Sequence, residues 1–425
     1  MKLEVKERYL FKDDNFFFWL GDTAWLLFEK LSFDEAKQYL DQRKSIGFNV
    51  IQCVLIHTYK DGYSCAGKSP LSKSYWQEVK EIVSYAESIG MIMGILPMWG
   101  KMVKNNILNE ENIDRYTEFL VKTFKNSKNI VWILGGDIRA DEYLSFYNHF
   151  GNKLKELNSN RLITFHPFGR TGSYQWFKDS SWIDFHMFQS GHRRYDQVKL
   201  NTWDDKSNQD DVFGEDNYKY VRKSQSLTSK PCLDGEPSYE GILQGLHDMK
   251  EPYWQDYDIR RYAYWSVLSG TCGFTYGNNA IMQFHRKGDN GSYGVREEWM
   301  EALNMPGGKQ MQYLKELILS LDITQGSACP EMVVDPKPFY EHIAVFASKA
   351  FVLCYDYLGR EFSLNLKKYK EKELYGFWIN PKDGTRYPFG KIEAKEIIAF
   401  MPQRRKESND WILLLVEDNE KFNLM

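Results

Sequence analysis

Short apolar runs ending in glycine or a polar residue recur eight times in the first three-quarters of this chain, with helical patterns between many of them. A continuous apolar run of four to eight residues bounded by turn signals reads as a strand buried on both faces, which is the condition of a parallel sheet. The predicted strands are Phe16–Leu20, Asn49–Ile56, Met91–Met98, Ile130–Leu134, Leu162–Phe165, Ile183–Phe188, Pro231–Asp234 and Gly273–Tyr276. Ser32-Phe-Asp-Glu35 is a capping box that opens a helix closing near Gly47. Trp76, Val79, Ile82, Val83, Ala86 and Ile89 share one helical face, with Gly90 as the stop; Ile113, Tyr116, Leu120 and Phe124 share another. Strand then helix, eight times over roughly 250 residues, is the pattern of a (β/α)₈ TIM barrel. A doubly wound open sheet is the alternative, but it calls for a Gly-x-Gly-x-x-Gly turn that the chain lacks.

Beyond Gly308 the pattern changes. Lys309 to Leu321 reads as a last helix, and His342–Ala347, Phe351–Asp356 and Trp411–Val416 read as strands, with Leu358-Gly359 and Asp383-Gly384 as turns. The expected division is a catalytic barrel over 1–322 and a C-terminal β-sandwich over 323–425. No Pro/Ser/Gly linker separates them, so the second unit is expected to dock on the first. The connection from Gln189 to Ser229 is long and polar, and is expected to form a lid or cleft wall.

Composition excludes several classes of function. Net charge is −3 with no basic tract, which argues against nucleic acid and an anionic membrane surface. No run reaches transmembrane length. The start, Met1-Lys-Leu-Glu-Val-Lys-Glu-Arg8, has no apolar signal region, so the compartment stays open between the cytoplasm and, had a leader been removed, the periplasm or exterior. None of the six cysteines forms Cys-x-x-Cys, and Cys53, Cys232, Cys272 and Cys354 fall in apolar runs as buried thiols. Aromatic residues make up 16% of the chain, with 13 Trp, enough for a large core and for platforms on which the apolar face of a sugar ring can lie.

Barrel enzymes carry their chemistry at the carboxyl ends of the strands. Here those ends supply, in order, Asp22 and Trp25; His57 and Tyr59; Trp99; Asp137 and Arg139; His166 and Arg170; His186, Gln189 and His192; Glu236 and Tyr239; and Tyr276, Asn278 and Asn279. Two acidic motifs stand out, Ile130-Val-Trp-Ile-Leu-Gly-Gly-Asp137 and Pro231-Cys-Leu-Asp-Gly-Glu-Pro237. Two carboxylates converging on one cleft are the minimum equipment for glycoside hydrolysis. Asp137 and Glu236 are therefore the candidate catalytic pair. Trp25, His57, Trp99, His166, His186, Gln189, Tyr276 and Asn278 are expected to shape a sugar subsite, and Asp22 to contact substrate or orient another side chain. The competing structural roles are helix N-capping for Asp137 and an ion pair with arginine for Glu236. His166 and His186 raise a metal-dependent hydrolase as a further reading, but neither His-Glu-x-x-His nor a His-x-His after the first strand is present. No cofactor motif occurs. A carbohydrate is the expected partner, a non-catalytic carbohydrate-binding barrel is the alternative, and the oligomeric state is open.

Phe18-Trp-Leu-Gly-Asp-Thr-Ala-Trp25, Gly47-Phe-Asn-Val-Ile-Gln52, Trp132-Ile-Leu-Gly-Gly-Asp137, Ile163-Thr-Phe-His-Pro-Phe-Gly169 and Asp234-Gly-Glu-Pro-Ser-Tyr-Glu240, in this order, resemble the apiosidase-like glycoside hydrolases. The resemblance covers about residues 8–320, and the tail resembles the small β-domain that commonly follows. It implies a (β/α)₈ glycosidase with its aspartate acid/base at Asp137 and its glutamate nucleophile at Glu236. It also implies substrates among apiose-containing pectic side chains of the plant cell wall.

Overall fold

A computed structural model describes residues 3–158, 160–197, 214–403 and 409–418. The chain opens with a three-stranded antiparallel meander, β1 (Leu3–Lys6), β2 (Tyr9–Lys12) and β3 (Asn15–Phe17). Eight parallel strands follow: β4 (Trp19–Thr23), β5 (Val50–Val54), β6 (Ile92–Leu96), β7 (Ile130–Ile138), β8 (Ile163–Pro167), β9 (His186–Phe188), β10 (Cys232–Asp234) and β11 (Gly273–Tyr276). They form one sheet in the order β8-β7-β6-β5-β4-β11-β10-β9. Asp184 N donating to Ile163 O (2.8 Å) and Thr164 Oγ1 to Phe185 O (2.6 Å) bring the two ends of the sheet together. The result is the expected barrel.

The first predicted strand is displaced. The run Phe16-Phe-Phe-Trp-Leu20 spans two strands, the end of β3 and the start of β4, and hydrophobicity alone gives no mark of the break. The barrel strand continues into Asp22 and Thr23 because Asp22 is neutralised within the fold.

Alternation along each strand decides what faces the barrel interior. In β4, Trp19 and Gly21 point inward: Trp19 Nε1 donates to Thr275 Oγ1 (3.1 Å), Thr275 to Gln52 Oε1 (3.3 Å), and Gln52 Nε2 to Gly235 O (2.9 Å). This chain satisfies the polar groups of an otherwise apolar core. The capping box forms at Ser32, heading the helix Phe33–Ser45. The last barrel helix is Pro306–Ser320. Part of the long connection expected as a cleft wall is a helix, Asn217–Leu227, while residues 198–213 of that connection lie outside the described residues.

The C-terminal region is antiparallel. Strands β12 (Ser327–Ala328), β13 (Val333–Val334), β14 (Ile343–Ala347), β15 (Phe351–Asp356), β16 (Phe362–Asn365), β17 (Glu373–Ile379), β18 (Arg386–Glu393), β19 (Ile397–Phe400) and β20 (Trp411–Val416) form two sheets. Their orders are β12-β14-β15-β20-β17-β18 and β13-β16-β19. The inner strands of the larger sheet, β14, β15 and β20, are buried on both faces. Phe346, Leu353, Tyr355, Ile412 and Leu414 belong to the same core as the barrel, while Val345, Val352, Cys354, Leu413 and Leu415 pack toward the smaller sheet. Across the junction Arg260 holds Asp410 with two hydrogen bonds, at 2.7 and 2.9 Å, and Tyr264 stacks on Tyr355 at 4.7 Å.

Candidate active site

A cavity of about 480 Å³ opens at the carboxyl ends of the barrel strands, within the ~300–1,000 Å³ typical of small-molecule sites. Asp137, Glu236, Trp25, His57, Trp99, Gln189 and His192 all line it. Asp137 reaches it through an irregularity in β7. Gly135 (φ +91°), Gly136 (φ +96°) and Asp137 (φ +52°) are consecutive left-handed residues, and the pairing of β7 with β8 shifts between Gly135 and Ile138. A Cβ on Gly135 would lie 2.4 Å from the carbonyl oxygen of His166, and one on Gly136 2.8 Å from the Trp99 ring. Only glycine fits either place, and aspartate is among the few side chains that tolerate the third. The Gly-Gly-Asp motif is thus a bulge that turns a carboxylate into the cleft, and Asp137 caps no helix.

Glu236 follows β10 and is nearly buried, with 7% exposure. His192 Nε2 lies 3.0 Å from its Oε1. His166 Nε2 lies 3.0 Å from Oε2 but off the line of a straight hydrogen bond, so Oε2 keeps a lone pair without an aligned donor. Burial alone would raise this carboxyl; the contacts with His166 and His192 outweigh it and hold Glu236 down at about 2. Asp137 behaves oppositely. Burial first, then the negative charge of Glu236, push it up to about 6, against the pull of His166, a hydrogen bond from Gln189, and His192. Two carboxyls in mutual electrostatic reach therefore divide the roles: one holds a proton in mildly acidic solution, the other is an anion.

Aromatic rings form the floor. Trp25 and Trp99 lie 5.2 Å apart, His166 meets Trp25 edge-on at 5.3 Å, and His57 packs on Trp99 at 4.9 Å. Burial, then Lys101, push His57 down to about 4, so its ring is neutral. Glu29 fixes the His57 loop by accepting from the backbone N–H groups of His57 (2.7 Å) and Thr58 (3.0 Å).

Other residues from the sequence reading lie elsewhere. Asp22 faces outward, accepting from Tyr39 OH and Arg43 Nε at 2.6 Å each, and pins β4 to the helix Phe33–Ser45. His186 also points away from the interior, 2.9 Å from Ser173 Oγ. Tyr276 donates to Glu240 at 2.5 Å, and Asn278 caps the short helix Asn279–Met282. His166 is inward but fully buried, behind Glu236. Lining residues outside the expected subsite include Lys30, Phe168, Arg170, Tyr239, Asp289 and Tyr293. Arg170 and Tyr239 are among the strand-end residues, Phe168 directly follows β8 and Lys30 ends a short helix, while Asp289 and Tyr293 lie on a loop where no periodic pattern marks them. Asp234 supports the wall, accepting from Ser190 Oγ (2.6 Å) and Asn217 Nδ2 (3.0 Å), and burial pushes it to about 7. Among the described residues no group of three or more His, Cys, Asp or Glu is arranged to hold a metal ion, and no helix is long and apolar enough to cross a membrane.

The family model for the catalytic domain of apiosidase-like proteins matches residues 4–325. The chain belongs to the apiosidase-like family. A model described as a collagen-binding domain of a collagenase matches residues 330–416. A solved structure named as a glycoside hydrolase shares 35% identity with this family member, over 98% of this chain and 97% of that one, with a TM-score of 0.91. A glycoside hydrolase family 5 protein from Bacteroides vulgatus shares 34% identity over 98% and 94% of the two chains, with a TM-score of 0.91. An endo-1,4-beta-mannanase from Rhizomucor miehei, 13% identical with a TM-score of 0.51 over 73% of this chain and 99% of that one, shares the fold alone. No curated protein sequence matches. This apiosidase-like chain is an enzyme, a glycoside hydrolase.

Proposed function

We propose that the enzyme cleaves O-glycosidic bonds in plant-cell-wall oligo- or polysaccharides by a retaining mechanism, with apiose-containing pectic side chains as the leading substrate. Asp137 protonates the leaving oxygen and later takes a proton from water; Glu236 attacks the anomeric carbon and forms the glycosyl-enzyme. The observation that carries this reading is that two carboxyls lining one cavity are displaced in opposite directions, Asp137 to about 6 and Glu236 to about 2. Trp25 and Trp99 would stack against the sugar ring. The cavity suits a terminal sugar or short side chain better than a long polymer. Its carbohydrate partner binds without a cofactor in this scheme, and the catalytic unit ends near residue 322.

The test is hydrolysis of a panel of pectic and hemicellulosic oligosaccharides and aryl glycosides, with proton NMR of the first-formed anomer. Retention is expected. Inversion would remove Glu236 as nucleophile, and binding of sugars without turnover would favour a non-catalytic barrel.

A further inference from the structure

Among the described residues, the segment after β9 that carries His192 is tied to the C-terminal domain around Tyr340. Tyr340, in the turn Phe339–Glu341 that leads into β14, donates its OH to Glu215 Oε1 at 2.5 Å. The same oxygen accepts the backbone N–H of Tyr195 at 3.3 Å. The Tyr195 ring packs edge-on against Phe339 (4.7 Å) and Tyr340 (5.1 Å), and its OH donates to Asp216. Glu215 Oε2 accepts from Arg261, whose guanidinium lies about 5 Å from the Tyr340 ring. Tyr195 is three residues beyond His192.

At the near end of the segment, Ser190 is held by Asp234, and the His192 carbonyl accepts from Gly245 N (2.8 Å) and Trp254 Nε1 (3.3 Å). Farther on, Arg194 and Gln197 bond to Gln244 and Glu251, so they tie one surface loop to another. Tyr195 and Glu215 are joined instead to a packed sandwich.

We propose that Tyr340 is a positioning residue of the active site: the C-terminal domain, through Tyr340, Glu215 and Tyr195, holds the segment after β9 so that His192 stays on Glu236. This rests on the reading of Glu236 as nucleophile. The groups facing Glu236 are Asp137 from β7, His166 from β8, His192, His57 beyond β5, and Tyr239 from its own loop. Of these, His192 alone lies on the braced segment. Loosening the brace therefore removes one of the two contacts that keep the Glu236 carboxyl ionised.

Tyr340→Phe keeps the ring on Tyr195 and Arg261 and deletes only the hydroxyl. Hydrogen exchange over residues 189–197 should quicken about tenfold, as loss of one hydrogen bond to a charged group allows, with the barrel strands unchanged. On an aryl glycoside turned over by the wild type, kcat should fall several-fold, KM should hold, and the acid limb of kcat/KM should move to higher pH. Unchanged exchange, or faster exchange with an unmoved acid limb, overturns the proposal. His192→Ala separates the two readings: an unmoved acid limb there would condemn the role of Glu236, while exchange in Tyr340→Phe still reports the brace. Should Tyr340→Phe not fold, Phe339→Ala, which removes a ring already 54% exposed, carries the same readouts with the same criteria.

Discussion

Replacing Asp137 by asparagine removes the proton that the proposed mechanism uses and also relieves the fold of a cost. Burial and the neighbouring charge of Glu236 move this carboxyl from 3.8 to about 6. That displacement corresponds to about 3 kcal/mol between its two protonation states. Below 3.8 the group is protonated in both folded and unfolded chains, and stability does not depend on it. Between 3.8 and about 6 the unfolded carboxyl ionises while the folded one keeps its proton, so the wild type steadily loses stability. Above about 6 the full deficit of about 3 kcal/mol is present. The asparagine amide cannot ionise, so the variant escapes it. The melting temperatures of wild type and Asp137→Asn, measured in parallel from about pH 4 to about pH 8, should therefore diverge as pH rises, with the variant the more stable near neutrality. In kinetics, wild-type kcat/KM should decline as pH rises through about 6, and the variant should lose both its rate and that decline. A melting difference that stays constant with pH, or a variant less stable at neutral pH, would refute the reasoning.

Glu236→Gln should abolish turnover while leaving melting cooperative, checked by a reducing-end assay beside calorimetry. Gly136→Ala should drop kcat/KM by about 100-fold, because a methyl group 2.8 Å from Trp99 shifts the bulge that aims Asp137; near-wild-type rates would show that the bulge can adapt. Arg260→Ala should destabilise the protein by about 3–5 kcal/mol by stranding buried Asp410, read from denaturation. Wild-type kcat/KM should hold down to pH values near the carboxyl of Glu236, about 2, until acid unfolding intervenes; His192→Ala should raise that limit, seen in a pH–rate profile.

The barrel was legible because parallel strands covered on both sides must be mostly apolar, and β5, β6 and β8 are buried along their whole length. That Asp137 and Glu236 reach one cavity was legible from a glycine followed by an acid at the end of an apolar run. The N-terminal meander was hidden, since its short, half-exposed strands mix charged and apolar residues and its last one runs straight into β4. Which polar residues face the cleft depends on alternation within each strand, and a one-residue displacement reverses it. Asp22 and Tyr276 lie at the carboxyl ends of β4 and β11 but on the helix-facing side, and His186 opens β9 on that same side, so position along the chain could not separate them from His57 or Trp99. The sequence places His192 after the sixth strand, but its contact with Glu236 arises only when β9 and β10 lie side by side.

The inner strands β14, β15 and β20 of the larger C-terminal sheet have no outside. Cutting the chain after the last barrel helix would strip the cover from the barrel flank around Tyr264 and leave Phe346, Leu353 and Leu414 wet in the released fragment. Neither piece is expected to stay dissolved alone, so expression trials that trim the tail to isolate the catalytic half should yield inclusion bodies.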